Sequence, residues 1–297
     1  MRFSICAALV AAASMVRFAG ASPVKRDLSK EQQQALKYFH EPGDSIIMAH
    51  YDARFYHAIV SDEERTQTQI HMVRAYLNFF RENDLDTWLA HGTLLGWWWN
   101  GMRLPWDWDL DTQVSGATLQ VMGDKFNQTR SKYVPEDGSA PREYLLDVNT
   151  MIWERERGDG MNIIDARWID VTNGLYIDIT GLSETHPDTN PGQWVCKNYH
   201  RYQTEELYPM RETTFEGVPA RVPYSYDKIL IQEYQEKALI VTEFEGHAWN
   251  VQDKLWQKTP KRIQEEREAA ERKQKEEEEA RKKAEEEELK NKKANGE

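Results

Sequence analysis

The sequence predicts an α+β domain. Three stretches carry that expectation. A capped amphipathic helix opens at Ser61-Asp62-Glu63-Glu64, two alternating runs flank Asn173-Gly174, and aspartates recur at every second residue as Asp107, Asp109 and Asp111. The 297 residues allow one large or two small domains. Eleven Trp, 13 Tyr and 9 Phe supply a core that must be held by packing, because Cys196 stands alone once Cys6 leaves with the leader.

The two ends of the chain are set apart. Arg2 precedes an apolar run from Ile5 to Val16, and Ala19-Gly20-Ala21 fits a small-x-small cleavage site. Residues 1–21 therefore read as a secretory signal peptide, with an uncleaved anchor as the alternative. Lys25-Arg26 is a dibasic pair similar to a kexin-type processing site, and residues 22–44 read as propeptide or linker. The folded domain is expected over residues 45–250, and residues 251–297 as a Lys/Glu-rich charged helix or disordered tail. From Lys261 to Glu297 the chain holds 12 basic and 13 acidic residues. Glu and Lys at i,i+4 support an exposed helix there, but no apolar face remains to bury. That tail is at most a spacer or an arm for a protein partner.

The chain carries a net charge of −12, and residues 27–260 alone carry −15. So acidic a domain is a poor partner for nucleic acid, whose phosphates call for a basic surface. Any phosphate it handles is expected to come with a metal ion and a few placed cations.

The elements follow in order. Ser61 and Glu64 form a capping box, and Ile70, Val73, Leu77 and Phe80 give the helix one apolar face up to the turn at Asn83-Asp84. Residues 86–91 read as a short strand. Gly92-Thr93 then leads into a helix-compatible run from Leu94 to Trp99, stopped by Asn100-Gly101. Residues 167–172 and 175–180 read as a hairpin about Asn173-Gly174, with Leu175, Ile177 and Ile179 on one face and Tyr176, Asp178 and Thr180 on the other. Residues 209–223 are turn-rich, and residues 225–239 read as a final helix.

Period two in the aspartate run predicts a strand, with Asp107, Asp109 and Asp111 on one face and Trp106, Trp108 and Leu110 on the other. Same-face carboxylates about 6.5–7 Å apart repel by roughly 2.5 kcal/mol at an effective dielectric of about 20. Protonation, a Lys or Arg partner, or a bound cation would relieve this. A solvated acidic edge strand would need none of them.

The stretch "LAHGTLLGWWWNGMRLPWDWDLDTQV", residues 89–114, resembles the LicD, fukutin and fukutin-related protein family, in which a strand and Gly-Thr/Ser-Leu-Leu-Gly precede Pro-Trp-Asp-x-Asp-hydrophobic-Asp. "RWIDVTNGLYIDITGL" is similar to its second motif and residues 207–234 to its closing block, although the Tyr-Gly pair that many members carry after the last helix is missing. The resemblance covers roughly residues 45–240. It implies a nucleotidyltransferase-like fold, a mixed β-sheet flanked by helices with metal at the sheet's edge.

The implied chemistry is metal-assisted phosphoryl transfer. Asp109 and Asp111 correspond to the family's ligands for Mg²⁺ or Mn²⁺, Asp178 to a third ligand or general base, and Asp107 to an outer ligand. Gly92 would let a phosphate approach the backbone, and Thr93 would donate a hydroxyl bond to it. Family members move a sugar phosphate or phosphorylated alcohol from a nucleotide-diphosphate donor to a glycan hydroxyl. A signal peptide joined to a Lys/Glu tail resembles fungal proteins of mannosylphosphorylation. GDP-mannose would then be the donor, a mannan glycan or glycoprotein the acceptor, and the Golgi lumen or the cell wall the location. A non-catalytic regulator or a glycan-binding protein on the same fold is the alternative, and a secreted Ca²⁺-binding structural protein a third reading.

Other residues are open. Arg103 would steady donor phosphates or pair with Asp107. Arg211 would bind substrate phosphate or be a surface cation. Asn127 heads a glycosylation sequon. His91 is expected as a packed strand residue, His200 as a loop histidine or a proton shuttle, and Cys196 as a buried thiol. Among Trp97, Trp98 and Trp99, one is expected to offer a sugar-stacking surface at most.

Overall fold

The computed structural model describes Ser29, Gln32 and residues 35–294 apart from 159, with side chains described as far as residue 285. The signal-peptide and dibasic readings, residues 1–26, lie outside the described residues. The chain divides into a unit ending at Leu36 and a unit from Lys37 onward. In the first, Ser29 and Gln32 cap each other's backbone N–H groups. The fold and the site lie wholly in the second.

Helix α1 spans Asp62–Glu82, and the Ser61 hydroxyl accepts the Glu64 N–H at 3.1 Å, as the capping signal requires. Strand β1 (Trp88–Leu89) is shorter than expected, because helix α2 (His91–Asn100) begins at His91. Gly101, at φ 75°, ends α2 in the left-handed conformation that a residue without Cβ adopts freely. Next come β2 (Asp111–Ser115), the short helix α3 (Gly116–Val121) with a π-helical turn to Phe126, β3 (Thr129–Tyr133), β4 (Arg142–Val148), β5 (Ala166–Asp170) and β6 (Tyr176–Glu184). Strands β7 (Gln193–Val195) and β8 (Arg201–Gln203) lead into the single turn α4 (Thr204–Leu207).

Two expectations on strands change. The aspartate run is a strand only from Asp111 onward. Asp107 and Asp109 sit in an extended loop held by α1, where Arg65 and Gln69 donate to the backbone carbonyls of residues 105, 107 and 108. The β5–β6 connection is five residues long, 171–175, rather than a two-residue turn. Asn173 is drawn onto α1 instead, where its amide donates to Thr68 at 3.1 Å.

The "turn-rich" segment is a hairpin, β9 (Arg211–Phe215) and β10 (Val218–Val222), turning at Glu216-Gly217 with φ 47° and 82°. The expected final helix breaks at Gln235 (φ 65°) into α5 (Tyr226–Tyr234) and α6 (Lys237–Ile240). Three further strands, β11 (Glu243–Phe244), β12 (His247–Asn250) and β13 (Leu255–Lys258), form a small sheet, so folded structure continues past residue 250. The charged segment is helix α7 (Pro260–Ala294), laced by i,i+4 pairs such as Arg262–Glu266 and Lys273–Glu277. Among the described residues no helix is long and apolar enough to cross a membrane.

The large sheet runs β1-β2-β6-β5-β4-β3, with β7 on β6 and β8 on β7. It is mixed: β2 and β6 are parallel, and the other neighbours antiparallel. Its oily face carries Ile177, Ile179, Trp168 and Leu146 against α1, where Phe79 stacks on Trp168 at 5.0 Å. The opposite face is mixed, with a small apolar cluster of Leu145, Ile169 and Tyr176 beside charged residues. Asp111, Asp178, Arg167 and Asp147 stand directly opposite one another on β2, β6, β5 and β4, a row of charges across four strands. Residues 38–56 cover it: Arg54 pairs with Asp147, Glu41 with Arg167, and Phe39 lies under the Arg167 guanidinium.

A second buried charge cluster fastens the loops beyond β4 to the sheet. Asp165 bonds Arg155 (2.8 Å) and Lys197 (2.9 Å), and its other oxygen accepts the Gly181 N–H (2.7 Å). The Lys197 ammonium also donates to the carbonyls of Met151 and Asn162. Both Asp165 and Lys197 are out of contact with water.

Candidate active site

The loop before β2 delivers Asp107, Asp109 and Asp111 to one cavity of about 690 Å³. Three devices aim them. Arg65 stacks its guanidinium 4.6 Å from the Trp108 ring, so α1 fixes the side of the loop away from the carboxylates. Asp107 Oδ1 accepts the Asp109 N–H at 3.1 Å, which folds the loop on itself. Thr93, buried in α2, accepts the Asp111 N–H with its hydroxyl at 2.8 Å. Thr93 therefore positions Asp111 and does not line the cavity. Replacing it with valine, which keeps the shape, leaves that N–H unpaired. The expected cost is about 1–3 kcal/mol, read as a lower urea midpoint with unchanged m-value.

Gly92 lines the cavity, and its missing side chain is filled by Asp107: a Cβ at residue 92 would collide with Asp107 Oδ2. The glycine of the Gly-Thr turn is thus explained by the packing of a carboxylate. Asp178 is the in-register neighbour of Asp111 on the parallel strand β6, with its carboxylate on Arg167 Nε at 2.9 Å. His50 caps Asp109 from the covering segment.

Among the described residues, no lysine or arginine forms an ion pair with Asp107, Asp109 or Asp111. Burial, reinforced by Asp109, pushes the Asp107 carboxyl up to about 6. Burial also holds Asp111 well above the usual carboxylate range, with Asp109, Asp178 and Asp107 adding repulsion that His91 only partly offsets. Asp178 is raised by burial despite Arg167. Three carboxylates lining one cavity, none of them in an ion pair with lysine or arginine among the described residues, offer hard oxygen donors, the kind that Mg²⁺ and Mn²⁺ prefer. Among the described residues, no three of these carboxylates bring ligand atoms within 4.8 Å of one another, so the match lies in donor type.

One consequence is measurable without any ligand. Between pH about 4 and 6 the folded chain keeps the Asp107 proton that the unfolded chain has released. Its ionisation therefore costs stability as pH rises through that window, by about 2–3 kcal/mol. Asp107→Asn is expected to remove that penalty. In chelator, the variant's gain in Tm over wild type should be small at pH 4 and should grow towards pH 7.

Other assignments shift. Arg103 turns away from the aspartates: its guanidinium bonds Thr66 and the Leu104 carbonyl, and its N–H donates to Glu216 at 2.8 Å. It pairs with neither phosphate-facing space nor Asp107, and burial lowers it to about 10. Arg211 is exposed, bonded to the Tyr224 carbonyl and stacked on Tyr224 and Tyr226, outside both cavities that contain Asp111. Asn127 is exposed and its side-chain oxygen accepts the Val148 N–H. Cys196 is a buried thiol, as expected.

The cavity's other wall takes Trp99 and Trp106 from the motif of residues 89–114, and the rest of it had no motif to announce it. Trp99 joins Trp106 and Trp256 in an edge-to-face cluster with centroids 4.8–4.9 Å apart, and Phe244, Val241 and Tyr234 complete an aromatic and aliphatic face. Trp97 and Trp98 pack on the core. The site is thus a floor of carboxylates beside an oily wall, the usual make-up of a pocket for a part-apolar ligand with an anionic group.

Residues 84–225 match the family described as LicD/FKTN/FKRP, nucleotidyltransferase domain. This segment is a LicD-family domain. It holds Asp107, Asp109, Asp111 and Asp178, and it ends before α5. Two relatives come from Saccharomyces cerevisiae. The chain is 34% identical to one named mannosyltransferase regulator 4 over 233 residues, covering 75% of this chain and 19% of that protein. It is 37% identical to one named mannosyltransferase regulator 14 over 155 residues, covering 50% of this chain and 16% of that protein. The chain thus spans about a fifth or less of each relative's length.

Proposed function

We propose that this LicD domain transfers a sugar phosphate from a nucleotide-diphosphate donor to a mannan-type glycan in the secretory pathway, with a divalent cation held by Asp109 and Asp111. The observation that carries it is the convergence of Asp107, Asp109 and Asp111 on one cavity, where among the described residues none of them forms an ion pair with a lysine or arginine; Lys237 lines the same cavity and would face the donor phosphates. Asp178 stands beside Asp111 as a further oxygen donor or the base for the acceptor hydroxyl, held in place by Arg167. When bound, Mg²⁺ or Mn²⁺ would supply neutralisation of the diphosphate. Thr93 and the Asp107–Asp109 contact keep the carboxylates aimed, and the Trp99–Trp106–Trp256 face excludes water and offers a stacking surface to the donor base or to a sugar.

GDP-mannose is the donor to try first, since both relatives carry names that place them with mannosyltransferases. Their names also call them regulators, and this favours a second reading in which the domain binds nucleotide sugar or glycan to control another enzyme. Purified protein with Mn²⁺, GDP-mannose and a mannan oligosaccharide separates the two. GMP release that stops with chelator and in Asp109→Asn supports transfer. Tight nucleotide binding without GMP release supports regulation. The exposed α7 would be the arm for a protein partner in either case.

A further inference from the structure

A second cavity, of about 560 Å³, opens on the far side of Asp111 and holds a different kind of donor set. His91 begins α2, Glu233 lies near the end of α5, and His200 immediately precedes β8. His91 Nδ1 is 2.8 Å from Glu233 Oε2, and the two imidazole rings lie 4.3 Å apart. One ligand atom from each of the three residues can be chosen so that all lie within 4.8 Å of one another. From these three residues we infer a metal site for a zinc-class cation, separate from the aspartates.

Four observations support it. Two imidazole nitrogens and one carboxylate suit a borderline ion such as Zn²⁺, whereas the all-oxygen set suits Mg²⁺ or Mn²⁺. Outer contacts already orient the ligands: the Tyr202 hydroxyl donates to Glu233 Oε1 at 2.8 Å, and Cys196 Sγ lies 3.3 Å from His200 Nδ1, leaving the other ring nitrogen of His200 for a metal. His91 adopts φ 49°, a left-handed backbone that a histidine takes at a cost and that concentrates at functional sites. The three residues come from separate elements, and their cavity leaves room for a fourth, exchangeable ligand. Asp111 lines both cavities, so a cation here would sit next to the proposed transfer site.

The test uses chelator-stripped full-length protein, ZnCl₂ and CoCl₂. After gel filtration, elemental analysis is expected to find one zinc retained per chain, undisplaced by millimolar Mg²⁺. Asp109→Asn should retain it. His200→Ala and Glu233→Gln should lose affinity by more than about a hundredfold, the scale that even outer-shell losses can reach. Wild-type protein loaded with Co²⁺ should show visible d–d bands and two contact-shifted imidazole N–H resonances, a readout that needs no variant to fold. Zinc absent from wild type, zinc held equally by His200→Ala, zinc lost with Asp109→Asn, or no shifted imidazole resonances would each overturn the assignment. None of these depends on nucleotide turnover.

Discussion

Asp111→Asn is expected to lose about a thousandfold or more in metal-dependent GMP release while melting no lower than wild type. The two halves of that result have one cause. Asp111 is half-buried beside Asp178 and close to Asp107 and Asp109, so its charge burdens the metal-free fold. Asparagine keeps the size and the Thr93 bond to the backbone N–H but removes the charge. In the proposed transfer a divalent ion would then lose an anionic ligand, and several kcal/mol of transition-state neutralisation would go with it. A residue needed only for the fold would behave in the opposite way, with stability falling and the activity of the remaining folded fraction intact. Parallel melting curves and turnover per folded molecule distinguish the two. The same substitution in a purely regulatory domain would leave turnover at the zero that wild type already shows.

The largest stability effect is expected at Asp165. Alanine there strips the partner from Lys197, whose ammonium is buried and would keep only the carbonyls of Met151 and Asn162. It also frees Arg155 and leaves the Gly181 N–H unpaired. Removing one member of a buried ion pair costs about 3–5 kcal/mol, a large share of the roughly 5–15 kcal/mol that holds a domain together. Chemical denaturation should show that loss. Asp165→Asn keeps an acceptor for Gly181 and should fall between alanine and wild type. Equal stability of all three proteins would mean that the Asp165–Lys197 contact does not hold the loops to the sheet.

What could be read in advance follows from how local the cause is. The Ser61 cap and the stripe of Val73, Leu77 and Phe80 are local, and both stand; the return half of the capping box does not, since the Glu64 carboxylate accepts from Asn173, and Ile70 is only half-buried. So does the division of β6 into an oily and a polar face, because side-chain alternation needs only the strand itself. The aspartate run misled on secondary structure, since period two marks any extended chain. Here the extension is imposed by Arg65 and Gln69, about 40 residues earlier, rather than by a ladder. The β9–β10 hairpin stayed hidden because Glu216 occupies a left-handed turn position usually signalled by Asn or Gly. Arg103 could not be placed without Thr66 and Glu216. His91 and Glu233 are 142 residues apart in sequence, a separation that no spacing rule spans.

The carboxylate floor and the aromatic wall are drawn differently from the chain: Trp99 and Trp106 lie with the aspartates, and the rest of the wall comes later. Every aspartate lies inside the segment shared with the LicD family, whereas Tyr234, Val241, Phe244 and Trp256 lie after it. The later part of the wall can therefore change while the aspartates, Trp99 and Trp106 stay as they are. Exchanging the last three strands between relatives would be a way to redirect the domain to another donor or acceptor without disturbing its acid groups. Conversely, a fragment cut at the family boundary would keep all of its aspartates but lose α1, whose Arg65 and Gln69 hold their loop in place.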